Sequence, residues 1–440
     1  MRAPRERDLR VTPVVTCFLR SGGDVLLLRR SGEVGSYRGR WGAVAGHAEG
    51  DPAAAARREI AEETGLGGAV ELVRRGEPFA VDDAALGTRW LVHPYLFDCS
   101  SRQVALDWES VEHAWVPPTE ILRRTTVPEL WTSWRRVAPT TETVEHDREH
   151  GSAWIALAAL EVLRDRAGEL AAGVGAAAGE GAEGPELAAL ARRLAAARPA
   201  MAAPANRVHR AMREARAAGG GAAAVERAAH AGIERALAAD RGAAERAAEQ
   251  IAGRRVLTLS RSGTVEAALT AARPRPPVVV VLESRPGGEG VGVAERLAAA
   301  GLRVILAPDA AVAWAIAEHR IEAVLIGADT VRPSGLVNKA GTLPAALAAR
   351  AAGIPVWAVA ACDKVAPAAR HRIAPRALPP PEERAEPGAL YGGAAEIEVA
   401  APFFEVTPAE LVTAVITERG ALAPAEIAAV AREMAELETW

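Results

Sequence analysis

From Arg254 onward the chain alternates short apolar runs with amphipathic stretches, and that alternation constrains its fold more than any other feature. RRVLTLS, PPVVVVLES, LRVILAP, EAVLIGA and IPVWAVAAC each hold a strand's length of apolar residues. GTVEAALTAA, GVAERLAAA and AAVAWAIAEH lie between them with helical character. Continuous apolar strands interleaved with helices predict a parallel, doubly wound α/β sheet. Such sheets bind ligands outside the carboxyl ends of their strands. The ends here carry Ser260, Arg261, Ser262 and Gly263, then Glu283, Ser284 and Arg285, then Asp329, then Lys364. Ser262-Gly263, opening a helix, is placed to hold a phosphate, and Arg285 to clamp one bidentately.

One stretch among these ends stands out, GADTVRPSGLVNKAGT from Gly327 to Thr342. It reads as a Gly-rich loop between a buried strand and the helix Leu343 to Ala352, where backbone N–H groups collect and favour anions. The whole chain holds only two lysines, Lys339 and Lys364, and two asparagines, Asn206 and Asn338; Arg supplies the other basic charges. An ammonium beside an amide in so Arg-biased a chain points to a site that needs a compact charge. Lys339 is expected to oppose a phosphate, and Asn338 and Asp329 to make polar contacts to the ligand.

The length of 440 residues predicts two to four domains at about 150 residues each. A net charge of −4 and a pI near 6.2 give no general electrostatic grip on nucleic acid or an anionic membrane. Cys17, Cys99 and Cys362 are odd in number and lack metal-ligand spacing, which fits a reduced, cytoplasmic compartment. MRAPRERDLR has no signal-peptide apolar core. No run reaches the roughly 18 apolar residues of a membrane span.

Residues 8–140 read as a first domain. VTPVVTCFLR and DVLLLRR are strands joined at Ser21-Gly22-Gly23, and AVELVRRGEPFAV and RWLVHPYLFDC are further strands. Asp51-Pro52 starts a helix. Along it Glu59, Glu62 and Glu63 stand at i, i+3 and i+4, an oxygen set suited to Mg²⁺ or Mn²⁺. REIAEETGL, residues 58–66, resembles the second half of the Nudix box, and YRGRWGAVAGH the strand and turn before it. The resemblance implies a small αβα sandwich with a mixed sheet. It also implies that Glu59, Glu62 and Glu63 bind the metal and help activate water against a diphosphate linkage. Position 50 is Gly50 where a strict box has Glu, so the helix-entry loop is one or two residues shorter. EHAWVPPTEILRR resembles the C-terminal strand and helix of that fold.

Residues 148–252 read as helices: SAWIALAALEVLRDRA, Leu187 to Ala197, Asn206 to Ala218 and Ala222 to Ala252. VGAAAGEGAEGPE reads as a Gly/Ala-rich flexible connector. Arg198-Pro199 breaks the pattern, and Asn206 suits the next N-cap. Residues 253–440 read as a Rossmann-like domain. ARPAM, ESRP, GADTVRPSGLVNKAGT and FFEVTPAELVTAVITERG together resemble the α, β and δ regulatory subunits of initiation factor 2B. They equally resemble the related ribose-1,5-bisphosphate and methylthioribose-1-phosphate isomerases. The resemblance implies a helical part leading into a Rossmann-like domain, commonly dimeric, with Arg198 among the ligand contacts. In the isomerases a Cys after the first strand and the Asp of GAD relocate a proton or hydride between C1 and C2. Asp329 is retained here, while Ser260 stands at the Cys position. A hydroxyl is a far weaker acid than a thiol.

The sequence thus predicts a Mg²⁺- or Mn²⁺-dependent hydrolase of a nucleoside-diphosphate-type substrate, fused to a domain that binds a small phosphorylated metabolite. That domain serves regulation and assembly into a homodimer or larger homo-oligomer. Two alternatives are a sugar-phosphate aldose–ketose isomerase and a non-enzymatic regulatory subunit.

Overall fold

The computed structural model describes residues 9–148, 150–174, 183–367, 390, 393 and 397–440. Most of the basic N-terminus and most of the Gly/Ala-rich connector lie outside the described residues. The chain divides into two compact units. The first gathers Met1–Thr143, Glu161–Ala189 and Ala215–Glu234, and the second Val144–Leu160, Leu190–Glu214 and Arg235–Trp440.

In the first unit β1 (Arg10–Ser21) and β2 (Asp24–Arg30) form a hairpin that closes at Ser21 opposite Asp24. Then come β3 (Trp41–Gly42), β4 (Val44–His47), α1 (Pro52–Thr64), β5 (Val70–Arg75), β6 (Phe79–Asp83), β7 (Thr88–Cys99) and β8 (Ser110–Val116). The eight strands make one mixed sheet in which β1 and β7 run parallel and the other pairs antiparallel. AVELVRRGEPFAV is divided between β5 and β6, and the Gly76 N–H between them donates to the Pro94 carbonyl. Helix α1 lays Ala55, Ala56 and Ile60 on Val15, Cys17, Leu26, Val44 and Phe97. The opposite face holds Phe18, Leu27 and Leu96 against Leu130 and Trp134 of α2 (Leu130–Arg135). The helix expected within EHAWVPPTEILRR is only a 3₁₀ turn, Pro118–Leu122. The β-branched run Thr125-Thr126-Val127 and then Pro128 stop it; α2 supplies the helix later.

Four longer helices follow the short α3 (Thr141–His146): α4 (Ser152–Ala171), α5 (Glu183–Ala196), α6 (Ala202–Ala217) and α7 (Ala222–Ile251). Some of their charges are buried with the apolar stripes: Glu161, Arg164, Asp165 and Glu169 on α4, Arg207 on α6 and Glu226 on α7. In the first unit Arg20 bridges Asp98 at 2.7 Å and Glu161 at 3.0 Å. The Trp134 indole N–H donates to Asp165 at 2.7 Å, and the Gly23 N–H to Glu234 at 2.7 Å. Arg164, fully buried, meets Asp165 at 2.8 Å and donates to the Gly23 carbonyl at 3.0 Å. Buried pairs of this kind add little net stability, but losing one partner strands a charge.

The second unit is built on β9 (Arg255–Leu259), α8 (Gly263–Ala271), β10 (Val278–Leu282), α9 (Glu289–Ala299), β11 (Arg303–Ala307), α10 (Val312–Glu318) and β12 (Ala323–Gly327). Next are β13 (Thr330–Arg332), β14 (Gly335–Lys339), α11 (Thr342–Ala352), β15 (Val356–Val359), β16 (Phe404–Pro408), β17 (Ala414–Thr417), β18 (Gly420–Leu422) and α12 (Pro424–Glu436). The main sheet runs β11-β10-β9-β12-β15-β17-β18, parallel except for the final pair. This is the doubly wound architecture expected, and its order reverses between β9 and β12, the switch point where such sheets bind ligands.

Two expectations change. Gly327 to Thr342 is not one continuous loop: β13 and β14 form a hairpin, and β14 also pairs with β16 to make a small antiparallel sheet. Asn206 does not cap a helix. It lies inside α6, buried, and its amide donates to the carbonyls of Asp363 at 2.7 Å and Val365 at 2.8 Å. Two carbonyl partners offset the cost of burying the amide.

Candidate functional sites

In the first unit Asp51 caps α1, its carboxylate accepting from the Ala53 N–H at 3.2 Å. Gly50, before it, has φ 79°, so the shortened entry loop turns through a conformation that disfavours the Glu of a strict box. Glu59 and Glu63, one turn apart, both face β4. The Glu59 carboxylate rests on Gly46, where a Cβ would lie 2.1 Å from its carboxyl carbon. Arg58 donates to Glu59 at 2.9 Å and to the His47 carbonyl at 3.4 Å. Glu63 is buried and accepts from the Ala45 N–H at 3.1 Å. Burial pushes its pKa up to about 8; Glu109, Asp107 and Glu59 push the same way, and the Ala45 N–H opposes them. Glu62 points to solvent.

Among the described residues no three His, Cys, Asp or Glu side chains converge as a ready-made metal cage. The charge balance nevertheless fits a cation. The largest charged influences on this buried carboxylate are three other carboxylates, Glu109, Asp107 and Glu59, while Arg58 pairs with Glu59 alone. The donors are all oxygens, the set Mg²⁺ and Mn²⁺ prefer. Asp107 and Glu109 escaped the sequence reading because they precede β8, far from the helix motif in the chain.

In the second unit the β9 and β12 ends converge: Ser262 Oγ lies 2.8 Å from where a Cβ on Gly327 would stand. Ser262 also caps α8, accepting from the Val265 N–H at 3.4 Å. Ser260 has φ 63°, its N–H donates to Ser284 Oγ at 2.7 Å, and its hydroxyl donates to Glu289 at 3.1 Å. Lys339 is buried on β14, 2.7 Å from Glu289, with its ammonium 4.2 Å from the centre of the Phe403 ring. Asn338, also buried, donates to Thr342 Oγ1 at 3.0 Å. The N-terminus of α11 is occupied from within. Glu405, from β16, accepts the N–H groups of Gly341 and Leu343, each at 2.8 Å.

Asp329 stands half-buried just past β12, and Arg261 and Gly263 are exposed. Exposed Arg285 lies 3.5 Å from Glu283. Arg198 donates to the Asp147 carbonyl at 2.7 Å. Ser260, Glu289 and Lys339 therefore form one contiguous polar cluster. Glu289 and Glu405 were missed because their partners come from other strands.

Comparison with known proteins agrees with both halves. Residues 10–137 match the NUDIX domain, and residues 148–424 match the initiation factor 2 subunit family. A probable bifunctional methylthioribose-1-phosphate isomerase/methylthioribulose-1-phosphate dehydratase of Nocardia farcinica is 40% identical over 193 residues, 40% of this chain and 34% of that protein. The ribose 1,5-bisphosphate isomerase of Archaeoglobus fulgidus is 35% identical over 155 residues, 33% of this chain and 46% of that protein. The chain thus spans less than half the length of these curated relatives. Two Pyrococcus horikoshii crystal structures share the fold. Translation initiation factor eIF-2B has TM-score 0.54 at 24% identity, covering 65% of this chain and 96% of that one. 5-Methylthioribose 1-phosphate isomerase has TM-score 0.52 at 20% identity, covering 74% and 90%. The chain belongs to the initiation factor 2 subunit family, and it carries a NUDIX domain before the family region.

Proposed function

We propose that the NUDIX domain hydrolyses a nucleoside-diphosphate-type substrate with Mg²⁺ or Mn²⁺. The observation that carries this reading is the buried Glu63 carboxylate, whose largest charged influences are three further carboxylates, Glu109, Asp107 and Glu59. Glu59 and Glu63 would hold the cation, with Glu62 on the solvent side and Glu109 facing them. When bound, it supplies neutralisation of phosphate charge and a lowered pKa for the attacking water. The chain's own residues prepare the place. Gly46 leaves room for Glu59, Arg58 orients Glu59, and the Ala45 N–H orients Glu63. Release of a nucleoside monophosphate from a panel of diphosphate derivatives, with Mg²⁺ and with excess chelator, tests the reading. Turnover that persists in chelator overturns it.

The family region, in the same proposal, binds a sugar phosphate or nucleotide for regulation and assembles as a homodimer or larger oligomer. Lys339 and Arg285 would oppose phosphate, while Asp329 and Asn338 contact sugar hydroxyls. The isomerase names of the relatives favour a second reading, aldose–ketose conversion through Asp329. Against it stands Ser260, whose weakly acidic hydroxyl is engaged with Glu289. Ketose formation by the wild type that vanishes in Asp329→Asn would establish the second reading.

A further inference from the structure

We infer that a small cavity between the β13–β14 hairpin and the first turn of α12 binds a monovalent anion of halide size, with the buried Arg332 as its counter-charge. The cavity lies apart from the Lys339 cluster. β17 and β18, which wall it, are the last strands of the main sheet, whereas that cluster gathers near the ends of β9 and β12.

The hairpin fixes where Arg332 sits. It ends β13 and pairs with Gly335 across the two-residue turn Pro333-Ser334. Gly335 has φ 147°, and a Cβ there would lie 2.2 Å from the Thr407 carbonyl oxygen. The turn is therefore pressed onto β16 so closely that only glycine fits. On its other side the Ala409 N–H donates to the Ser334 carbonyl at 3.1 Å. Held in this way, Arg332 keeps only 6% of its surface exposed.

Its lack of a partner sets this arginine apart. Arg164 and Arg207, the other buried arginines among the described residues, each meet a carboxylate: Asp165 at 2.8 Å and Asp363 at 2.5 Å. Among the described residues Arg332 has no ion pair and no side-chain hydrogen bond, and its Nε is sealed from solvent without an acceptor. Burial pulls its pKa down, yet a guanidinium keeps its proton at any pH the fold survives. It therefore holds a full charge with five N–H donors to satisfy. A charge buried so deeply is costly until one of opposite sign meets it.

The cavity supplies the place. Its volume is about 20 Å³, and Leu336, Val415, Leu422 and Ile427 give it apolar walls. Besides Arg332 its one polar side chain is Thr413, and no Asp or Glu lines it. Thr413 Oγ1 already accepts from the Val356 N–H at 3.0 Å, which leaves its own proton to donate. The first turn of α12 adds the positive end of a helix dipole. Glu426, the acid of that turn, accepts from the Ala423 N–H at 2.8 Å and stays outside the cavity. Donors set in apolar walls suit a weakly hydrated anion. The volume selects its size: a water-sized sphere needs about 10–15 Å³, so a halide fits and a tetrahedral phosphate does not.

The test is ³⁵Cl NMR on the full chain, reading the extra line width that chloride gains when bound to a slowly tumbling protein. Titrated with chloride at constant ionic strength, the wild type should show a saturable component. In Arg332→Gln the affinity should fall about ten- to hundredfold, the worth of a hydrogen bond to a charged group. Ala414→Leu fills the cavity and keeps the guanidinium; it should lose the component as well, so the outcome does not hang on the folding of one variant. Lys339→Ala should retain it, and added phosphate should leave it in place. Four results overturn the inference: wild-type chloride affinity in folded Arg332→Gln or Ala414→Leu, loss of the component in Lys339→Ala, displacement by phosphate, or no saturable component in the wild type. The last would mean that the cavity holds only water.

Discussion

The two candidate sites handle charge in opposite ways. In the NUDIX domain carboxylates gather: Glu63 is buried, its largest charged influences are Glu109, Asp107 and Glu59, and Arg58 pairs with Glu59. In the family region the candidate groups already have partners. Lys339 meets Glu289, Ser260 donates to the same carboxylate, and Glu405 fills the N-terminus of α11. In the proposed reading, the first site is completed by a cation. The second admits an anion only if the ligand displaces an internal carboxylate from Lys339. Unbalanced charge marks where a ligand must add something, and balanced charge marks where it must compete.

The largest effect expected from this contrast is at Glu63. Glu63→Gln should lower diphosphate hydrolysis by at least about a hundredfold, since even residues that merely orient metal ligands are worth about 10–100-fold. Its Tm in chelator at pH 7 should not fall, because a pKa of about 8 already leaves Glu63 mostly neutral and a Gln oxygen can still accept from the Ala45 N–H; thermal melts of both proteins check this. Gly46→Ala comes next. Pushing the Glu59 carboxylate aside should reduce kcat by up to about a hundredfold, as a displacement of about 1 Å does, with little change in the melt.

The second site should respond in both directions. Lys339→Ala should weaken phosphosugar binding by about 1.5–3 kcal/mol, the worth of a hydrogen bond to a charged group. Glu289→Gln should strengthen it by freeing the ammonium. Calorimetry with ribose 1,5-bisphosphate and AMP measures both, and a weaker-binding Glu289→Gln would break the comparison. Asn206→Ala should cost about 1–3 kcal/mol of stability by leaving two buried carbonyls without their donor. The smallest effect concerns Cys362. Burial pushes its thiol up to about 12, so below that pH it stays protonated. An alkylating reagent at pH 8 should modify it only after denaturation, as mass spectrometry of the peptide would record.

The sequence disclosed most where chemistry and periodicity coincide locally. The α1 cap, its glutamates, and the strand–helix alternation behind the parallel sheet follow from neighbours in the chain. The scarcity of Lys and Asn was informative too: Asn206, Asn338, Lys339 and Lys364 are all buried. It marked places that demand a specific group, without saying whether the partner is internal or a ligand. Asn206 turned out to hold backbone carbonyls. What stayed hidden depends on pairing across the fold. Glu405 lies opposite Asn338 in a register no local pattern predicts, and Glu109 reaches Glu63 from another strand's approach. The hairpin had a signal, Pro333-Ser334-Gly335 between apolar flanks, which the glycines around it masked.

The central claim is that the NUDIX carboxylates are completed by a divalent cation. Calorimetric titration of Mn²⁺ into metal-free full-length protein tests it most directly, with Glu63→Gln alongside. One saturable site in the wild type, lost or greatly weakened in Glu63→Gln, is the predicted result. Equal binding by the two proteins, or none by the wild type, would contradict it.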